Sequence, residues 1–216
     1  MKSEQQIDLL QFYQSLFNET DCDELVLRLA SHSRIVTRKK GDIIFRPEAT
    51  ASVSTFLLDG VIKTYNLSPK GAENNLAFYY KPGTAVCLTK EMINIPAIWC
   101  KTLTPCTMVD LCGPGPYELA EDYPDLYRVI LEGYKPFYFI MLDKICALST
   151  LNAKERYLWF LDKYAPIVDK IPQVETAMYL GIKPQSLSRI RAELIKEGFT
   201  PPEKLTIDNI EWPRFV

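Results

Sequence analysis

Histidine is almost missing from this chain: His32 is the only one in 216 residues. One imidazole cannot build a His-based metal site, and the sequence has no HxH or HExxH pair. It also lacks a nucleophile elbow and a glycine-rich phosphate loop. Acid–base chemistry would have to rest on carboxylates, and no pair of them stands out. Long apolar runs are missing too. No stretch approaches the ~20 residues that a membrane span requires. The first residues, MKSEQQIDLL, are broken by polar and acidic side chains and do not form a signal peptide. Nor is there an excess of charge of either sign, the net charge being −2. These absences predict a non-enzymatic cytoplasmic protein with no membrane partner, no metal and no cofactor. Its six cysteines are then expected as reduced thiols rather than disulfides.

What is present is ordinary globular material, 47% hydrophobic and 24% charged, enough for a real core. The length suits one or two domains. Residues 1–150 carry 15 Lys+Arg and 18 Asp+Glu, whereas residues 151–216 carry 10 and 9. The second part is therefore nearly neutral, not basic. If it binds nucleic acid, it does so with a few placed cations, and two copies should contribute.

The most informative stretch is residues 171–199, IPQVETAMYLGIKPQSLSRIRAELIKEGF. Pro172 can open a first helix. Leu180 and Gly181 end it, because glycine accepts the left-handed turn of a sharp reversal. Pro184 opens a second helix, on which Leu187, Ile190 and Leu194 share one face. At about 100° per residue, Gln185, Arg189, Ala192 and Lys196 lie opposite them. Two short helices, a glycine turn and a polar outer face predict a DNA-binding helix-turn-helix. The plainer alternative is a helical hairpin with a solvated face.

Ahead of this stretch the texture is different. The first thirty residues read as helical, with Ile7, Leu10 and Phe17 on one face and Asp21 and Glu24 set as a capping pair. His32 is expected to be structural or exposed. Residues 34–111 are short β-rich runs: RIVTR, DIIFR, VSTFLL, GVIKTYNL, NNLAFYYK, TAVCL, IWCKTLT and CTMVDL. Breaks at Gly41-Asp42, Asp59-Gly60, Ser68-Pro69-Lys70-Gly71 and Pro82-Gly83 separate them, which predicts a sandwich or barrel. Residues 117–122 read as a short helix, and residues 124–149 as a long one that Pro136 should kink or restart. Its apolar arc is wide enough to need burial on two sides, one against its own domain and one against a partner chain. Residues 152–165 form a further helix, and Lys204 to Ile207 the strand of a small wing.

This layout resembles the cyclic-AMP-receptor/FNR (Crp/Fnr) transcription regulators. The matching residues are Lys40-Gly41-Asp42-Ile43-Ile44-Phe45, then Phe56 to Ile62 around Gly60, and Gly71. Further on they are Leu151 to Tyr157, and Leu180-Gly181-Ile182 with Leu187-Ser188-Arg189-Ile190. The resemblance covers about residues 20–210. It implies an α+β chain: an N-terminal cyclic-nucleotide-binding-like β-roll with helices (1–123), a long dimerisation helix (124–150) and a C-terminal winged helix-turn-helix (151–216). It also implies a homodimer on two-fold double-stranded DNA, with RNA polymerase as a further partner. Carried over by position, Gln185 and Arg189 would read bases and Ser186 and Ser188 would touch backbone or base edges. Arg suits guanine O6/N7 and Gln suits adenine N6/N7. Lys183 stands where the family has a Ser or Thr cap, and it could reach a phosphate instead. Lys196, later on the same face, completes the candidate DNA-binding set.

The sensory site departs from the family pattern. Cyclic-nucleotide binders carry a Gly-Glu pair and, before the next strand, an Arg-Ser pair. Here Leu88 replaces the Glu, Pro96-Ala97 fall where Arg-Ser should stand, and the cassette is about two residues short. The nearby cations Lys90 and Lys101 are not at the matching position. Burying a phosphate without its partner costs several kcal/mol, so cyclic AMP is not the expected ligand. Tyr79, Cys87, Leu88, Trp99 and Phe137 are the candidate lining for a small apolar effector. Cys100 and Cys106 would lie ~20 Å apart on a continuous strand, unless Pro105 folds the chain back. Core thiols are the simpler reading of the cysteines. The alternatives are a small-molecule-sensing β-roll module with weak or no DNA binding, and a redox-sensing regulator using thiols.

Overall fold

The computed structural model describes residues 8–17, 23–47, 53–88, 98–113, 116–124 and 126–199. The side chains of residues 53, 87, 88, 116, 117, 129 and 132 lie outside that description, as do the capping residue Asp21 and the expected wing strand.

Each of the eight β-rich runs forms a strand: β1 (Ser33–Arg38), β2 (Ile43–Phe45), β3 (Val53–Asp59), β4 (Ile62–Leu67), β5 (Glu73–Tyr79), β6 (Thr84–Leu88), β7 (Ile98–Thr102) and β8 (Cys106–Leu111). They make two four-stranded sheets, ordered β1-β8-β3-β6 and β2-β7-β4-β5, with every pairing antiparallel. Side chains alternate across each sheet. Leu57 and Met108 from one sheet therefore meet Ile62, Ala77 and Cys100 from the other in a single buried cluster. Gly60 shows why the turns carry glycine. Its φ is +107°, and a Cβ there would lie 2.5 Å from Cys106 Sγ and 2.6 Å from the Pro105 carbonyl.

Helices pack against this roll. α1 (Leu9–Leu16) and α2 (Asp23–Ser31) bury Tyr13, Leu25 and Leu29 against Val109 and against Leu119 of α3 (Pro116–Asp122). α4 runs from Leu126 to Thr150, with Pro136 inside it. The expected restart at Pro136 does not occur, and the helix continues through it. A proline removes one N–H and so one rung of the ladder, which 25 residues of helix packed against the roll can absorb. Phe137, Ile140 and Met141 of α4 pack on the inter-sheet cluster.

α5 (Ala153–Lys163), α6 (Gln173–Leu180) and α7 (Pro184–Lys196) complete the described chain. α5 starts at a full capping box, in which Asn152 accepts from the Lys154 and Glu155 N–H groups and Glu155 accepts from the Asn152 N–H. The three helices share one core with the outer face of the β4–β5 sheet. Val61, Phe78 and Leu103 of the roll join Phe160, Tyr164, Ile167, Tyr179 and Leu180. Phe160 is fully buried, and Phe78 and Tyr179 are 1% exposed. Each such side chain contributes about 1.5–3 kcal/mol of burial.

Candidate nucleic-acid interface

The turn between α6 and α7 is fixed by its backbone. Gly181 adopts φ 65° and ψ 33°. Its N–H donates to the Met178 carbonyl and the Ile182 N–H to the Ala177 carbonyl, which closes a Schellman motif. Arg156 adds a side-chain cap. Its Nη1 donates to the Leu180 carbonyl at 2.8 Å and its Nε to the Leu151 carbonyl at 3.1 Å. One guanidinium thus ties the end of α4 to the turn. Arg156 lies in the stretch Leu151 to Tyr157 that carries the resemblance, but a sequence pattern does not disclose these two carbonyls.

α7 begins with Pro184 at its first position, and its N-cap residue Lys183 offers no side-chain acceptor. The first-turn N–H groups thus lack the usual Ser or Thr oxygen, and a helix N-terminus in that state suits an anion. Leu187, Ile190 and Leu194 are buried against the other helices. Lys183, Gln185, Ser188, Arg189 and Lys196 are exposed, and Ser186 is half-buried. At the far end, Lys154 Nζ binds Glu193 at 3.0 Å and Glu197 at 2.8 Å. These contacts, the Glu197 bond first, raise the Lys154 pKa. Exposed pairs of this kind add little stability, but here they place a cation against Glu193 of α7 and Glu197 just beyond its end, two carboxylates that would repel a phosphate backbone.

The candidate effector residues do not form one group. Tyr79 is buried between the sheets, with Phe137 packed on the same cluster. Trp99 lies on the opposite face of its sheet, stacked on Tyr65 at 6.0 Å. The reason is the two-residue period: Ile98 and Cys100 face inward, so Trp99 between them faces outward. Cys87 and Leu88 belong to β6, but their side chains are outside the description, as are Lys90 and Pro96-Ala97. Lys101 is also on the outer face, where Glu73 accepts from it at 2.6 and 2.9 Å. On the inner side of β1, two residues from Val36, stands Arg38. It donates to Asp110 at 2.7 Å, and Asp110 also accepts from Thr55 at 2.7 Å.

Cys100 and Cys106 are not on one strand. They lie on β7 and β8, in the same inter-sheet cluster. Burial pushes both thiols above their ordinary pKa, which works against thiolate chemistry. Cys112 and Cys146 are exposed. His32 is exposed, with Nδ1 2.8 Å from the Arg28 carbonyl. Among the described residues no group of three or more His, Cys, Asp or Glu is placed to hold a metal, and no helix is long and apolar enough to cross a membrane.

Comparison with known proteins places the fold. No protein-family model matches the chain, and no curated protein matches it. Solved structures do. A crystal structure described as a putative transcriptional regulator of the Crp/Fnr family from Eubacterium rectale superposes with a TM-score of 0.69 at 17% identity, over 85% of this chain and 87% of that one. FixK2 from Bradyrhizobium japonicum gives 0.66 at 16% identity, over 80% and 90%. The c-di-GMP-responsive global regulator CLP of Xanthomonas campestris gives 0.64 at 15%, over 81% and 92%.

Proposed function

We propose that this chain, which has the Crp/Fnr-type regulator fold, is a DNA-binding transcription regulator acting as a homodimer on a two-fold operator. One observation carries the reading. α7 buries Leu187, Ile190 and Leu194 and turns Gln185, Ser188, Arg189 and Lys196 outward from a turn locked by Gly181. A helix presented in this way fits the major groove, with side chains of its first turns at base edges. Lys183 and the first-turn N–H groups suit a phosphate.

The second element is α4. Leu131 is 60% exposed, Tyr138 59% and Ile145 59%, with Tyr127, Phe139, Leu142 and Leu148 also exposed. Leu131, Tyr138, Leu142 and Ile145 follow the seven-, four- and three-residue steps of a coiled-coil seam. A second copy of the same helix is the occupant that a closed two-fold pair would supply, and it would set two copies of α7 side by side. Apolar side chains cluster between the sheets, and the cation there, Arg38, is held by Asp110 through Nη2, with its Nε buried and unpartnered. The Arg38–Asp110 pair, together with Leu88 and Pro96-Ala97 in place of Glu and Arg-Ser, favours a regulator that does not respond to cyclic AMP.

A gel shift of the purified full chain on the DNA of its own promoter region, with and without cell extract as a source of effector, tests the reading. A salt-sensitive shift that competitor DNA fails to abolish supports it. No shift in either condition favours a β-roll module without DNA affinity.

A further inference from the structure

Among the described residues, Lys63 is the charged side chain most completely removed from water. It lies on the outer face of β4 with no exposed surface. Three acceptors meet its ammonium: Glu73 at 2.6 Å, Asn75 at 2.8 Å and Glu175 at 2.5 Å. An ammonium has three donors, and all three are used. Glu73 and Asn75 belong to β5, next to Lys63 in the same sheet, whereas Glu175 belongs to α6, the first helix of the helix-turn-helix. Asn75 is likewise saturated. Its Nδ2 donates to both the backbone carbonyl and the carboxylate of Glu175, each at 2.8 Å. From α4, Lys144 donates to the Asn75 carbonyl and sits 4.3 Å over the Tyr179 ring. The roll, the long helix and the DNA-reading unit therefore meet around one pair of residues, Asn75 and Glu175.

We propose that Lys63 and Asn75 form a latch that holds α6, and with it the recognition helix, in one orientation on the β-roll, so that the roll and the helix-turn-helix move as a single body. The chemistry assigns the parts. The apolar contacts around Phe78 and Tyr179 are adhesive but undirected. The charge cluster is directed, because sliding α6 by one residue would remove Glu175 from three bonds at once. A buried ion pair adds little net stability, because the cost of desolvation offsets its attraction; its contribution here is the direction of its bonds. Two of the three Lys63 acceptors stay on the sheet if α6 departs, and water can replace the third. Opening therefore leaves no bare charge in the roll, as a latch requires. The latch stands independently of DNA binding, and its test needs no DNA.

The experiment is hydrogen exchange, read by mass spectrometry on the full chain, with urea unfolding alongside. Glu175→Leu removes the carboxylate, and Lys63→Met/Glu175→Leu replaces the buried pair with apolar groups. In the double variant the urea midpoint should fall only by the cost of the Asn75 Oδ1 left without its Lys63 donor, while exchange in α6 and along β5 rises at least tenfold and the sheet β1-β8-β3-β6 is unchanged. Exchange in α6 that matches the parent in both variants would overturn the latch, since apolar contact alone would then set the pose. A uniform rise across the chain with a lowered midpoint in the double variant would also overturn it, because Lys63 would then serve general stability.

Discussion

The ring of Phe78, on β5, lies 5.0 Å from the ring of Tyr179, on α6. Tyr179 in turn shares a hydrogen bond with Tyr164 at 2.8 Å and stacks against Trp159 at 6.1 Å. An apolar strand residue therefore reaches into the centre of the helical domain. Phe78→Ala should cost about 3–5 kcal/mol, read as a lowered urea midpoint. Trp159 beside this cluster and Trp99 on the same sheet should report the same transition. A loss below about 1 kcal/mol would show that the contact closes around the cavity.

Much of this architecture is legible in the sequence. The eight described strands overlap the runs that alternation and turn residues mark, and Gly181 and Pro184 mark the turn and the start of α7. Facing relationships were less legible. Nothing in GVIKTYNL distinguishes the buried Lys63 from a solvated strand lysine, because its partner Glu175 is 112 residues away. Trp99 illustrates the same limit, since its aromatic ring suits an apolar pocket but the strand period turns it to the outer face, against Tyr65.

Arg189 is exposed on the outer face of α7, one turn beyond Gln185. Arg189→Ala should remove about 1–3 kcal/mol of discrimination at one base position per half-site. Lys196 stands two turns further on, so Lys196→Ala should weaken all sequences mildly and alike. Binding measured on a set of singly substituted operators separates the two. If Arg189→Ala weakens every operator equally, Arg189 contacts phosphate.

The α4 seam should be sensitive to charge. Ile145→Asp places a carboxylate at a position 59% exposed in the single chain and buried in a two-fold pair. Sedimentation at micromolar concentration should show a dimer for the parent and a monomer for the variant. Because Ile145 is outside the described core clusters, the urea midpoint at low protein concentration should change little. A parent chain that sediments as a monomer would remove the seam.

Lys144 should give stability a slope at alkaline pH. Burial lowers its pKa from 10.5 to about 8, with the Asn75 carbonyl and the Tyr179 ring as its neighbours. The unfolded chain holds this proton up to about pH 10.5, so between pH 8 and 10.5 it binds more protons than the folded chain. Stability from this group therefore rises with pH across that window and is lost as pH falls through 8. Lys144→Met should exceed the parent by up to about 3 kcal/mol at pH 7, and the gap should close by pH 10.5. Urea midpoints at the two pH values check the sign. A gap that does not change with pH would mean that Lys144 is solvated.

Cyclic AMP should neither bind nor activate. A cyclic phosphodiester carries a full negative charge, and in the dry interior of a β-roll it must meet a guanidinium fork or helix N–H groups. Arg38 faces inward, but Asp110 holds it at 2.7 Å, and freeing it would leave that carboxylate with Thr55 alone. Lys101 faces the other side of the sheet and is bound to Glu73 at 2.6 Å. Leu57, Ile62, Ala77, Cys100 and Met108 form an apolar cluster between the sheets, which offers a purine no hydrogen-bonding partner. A purine that displaced these side chains would meet the cost that overpacking carries, about 1–3 kcal/mol or more. Titration calorimetry with cyclic AMP and cyclic GMP should give no heat beyond dilution. Micromolar binding of either would mean that the cluster opens, and Arg38→Ala would then decide whether its guanidinium is the phosphate partner.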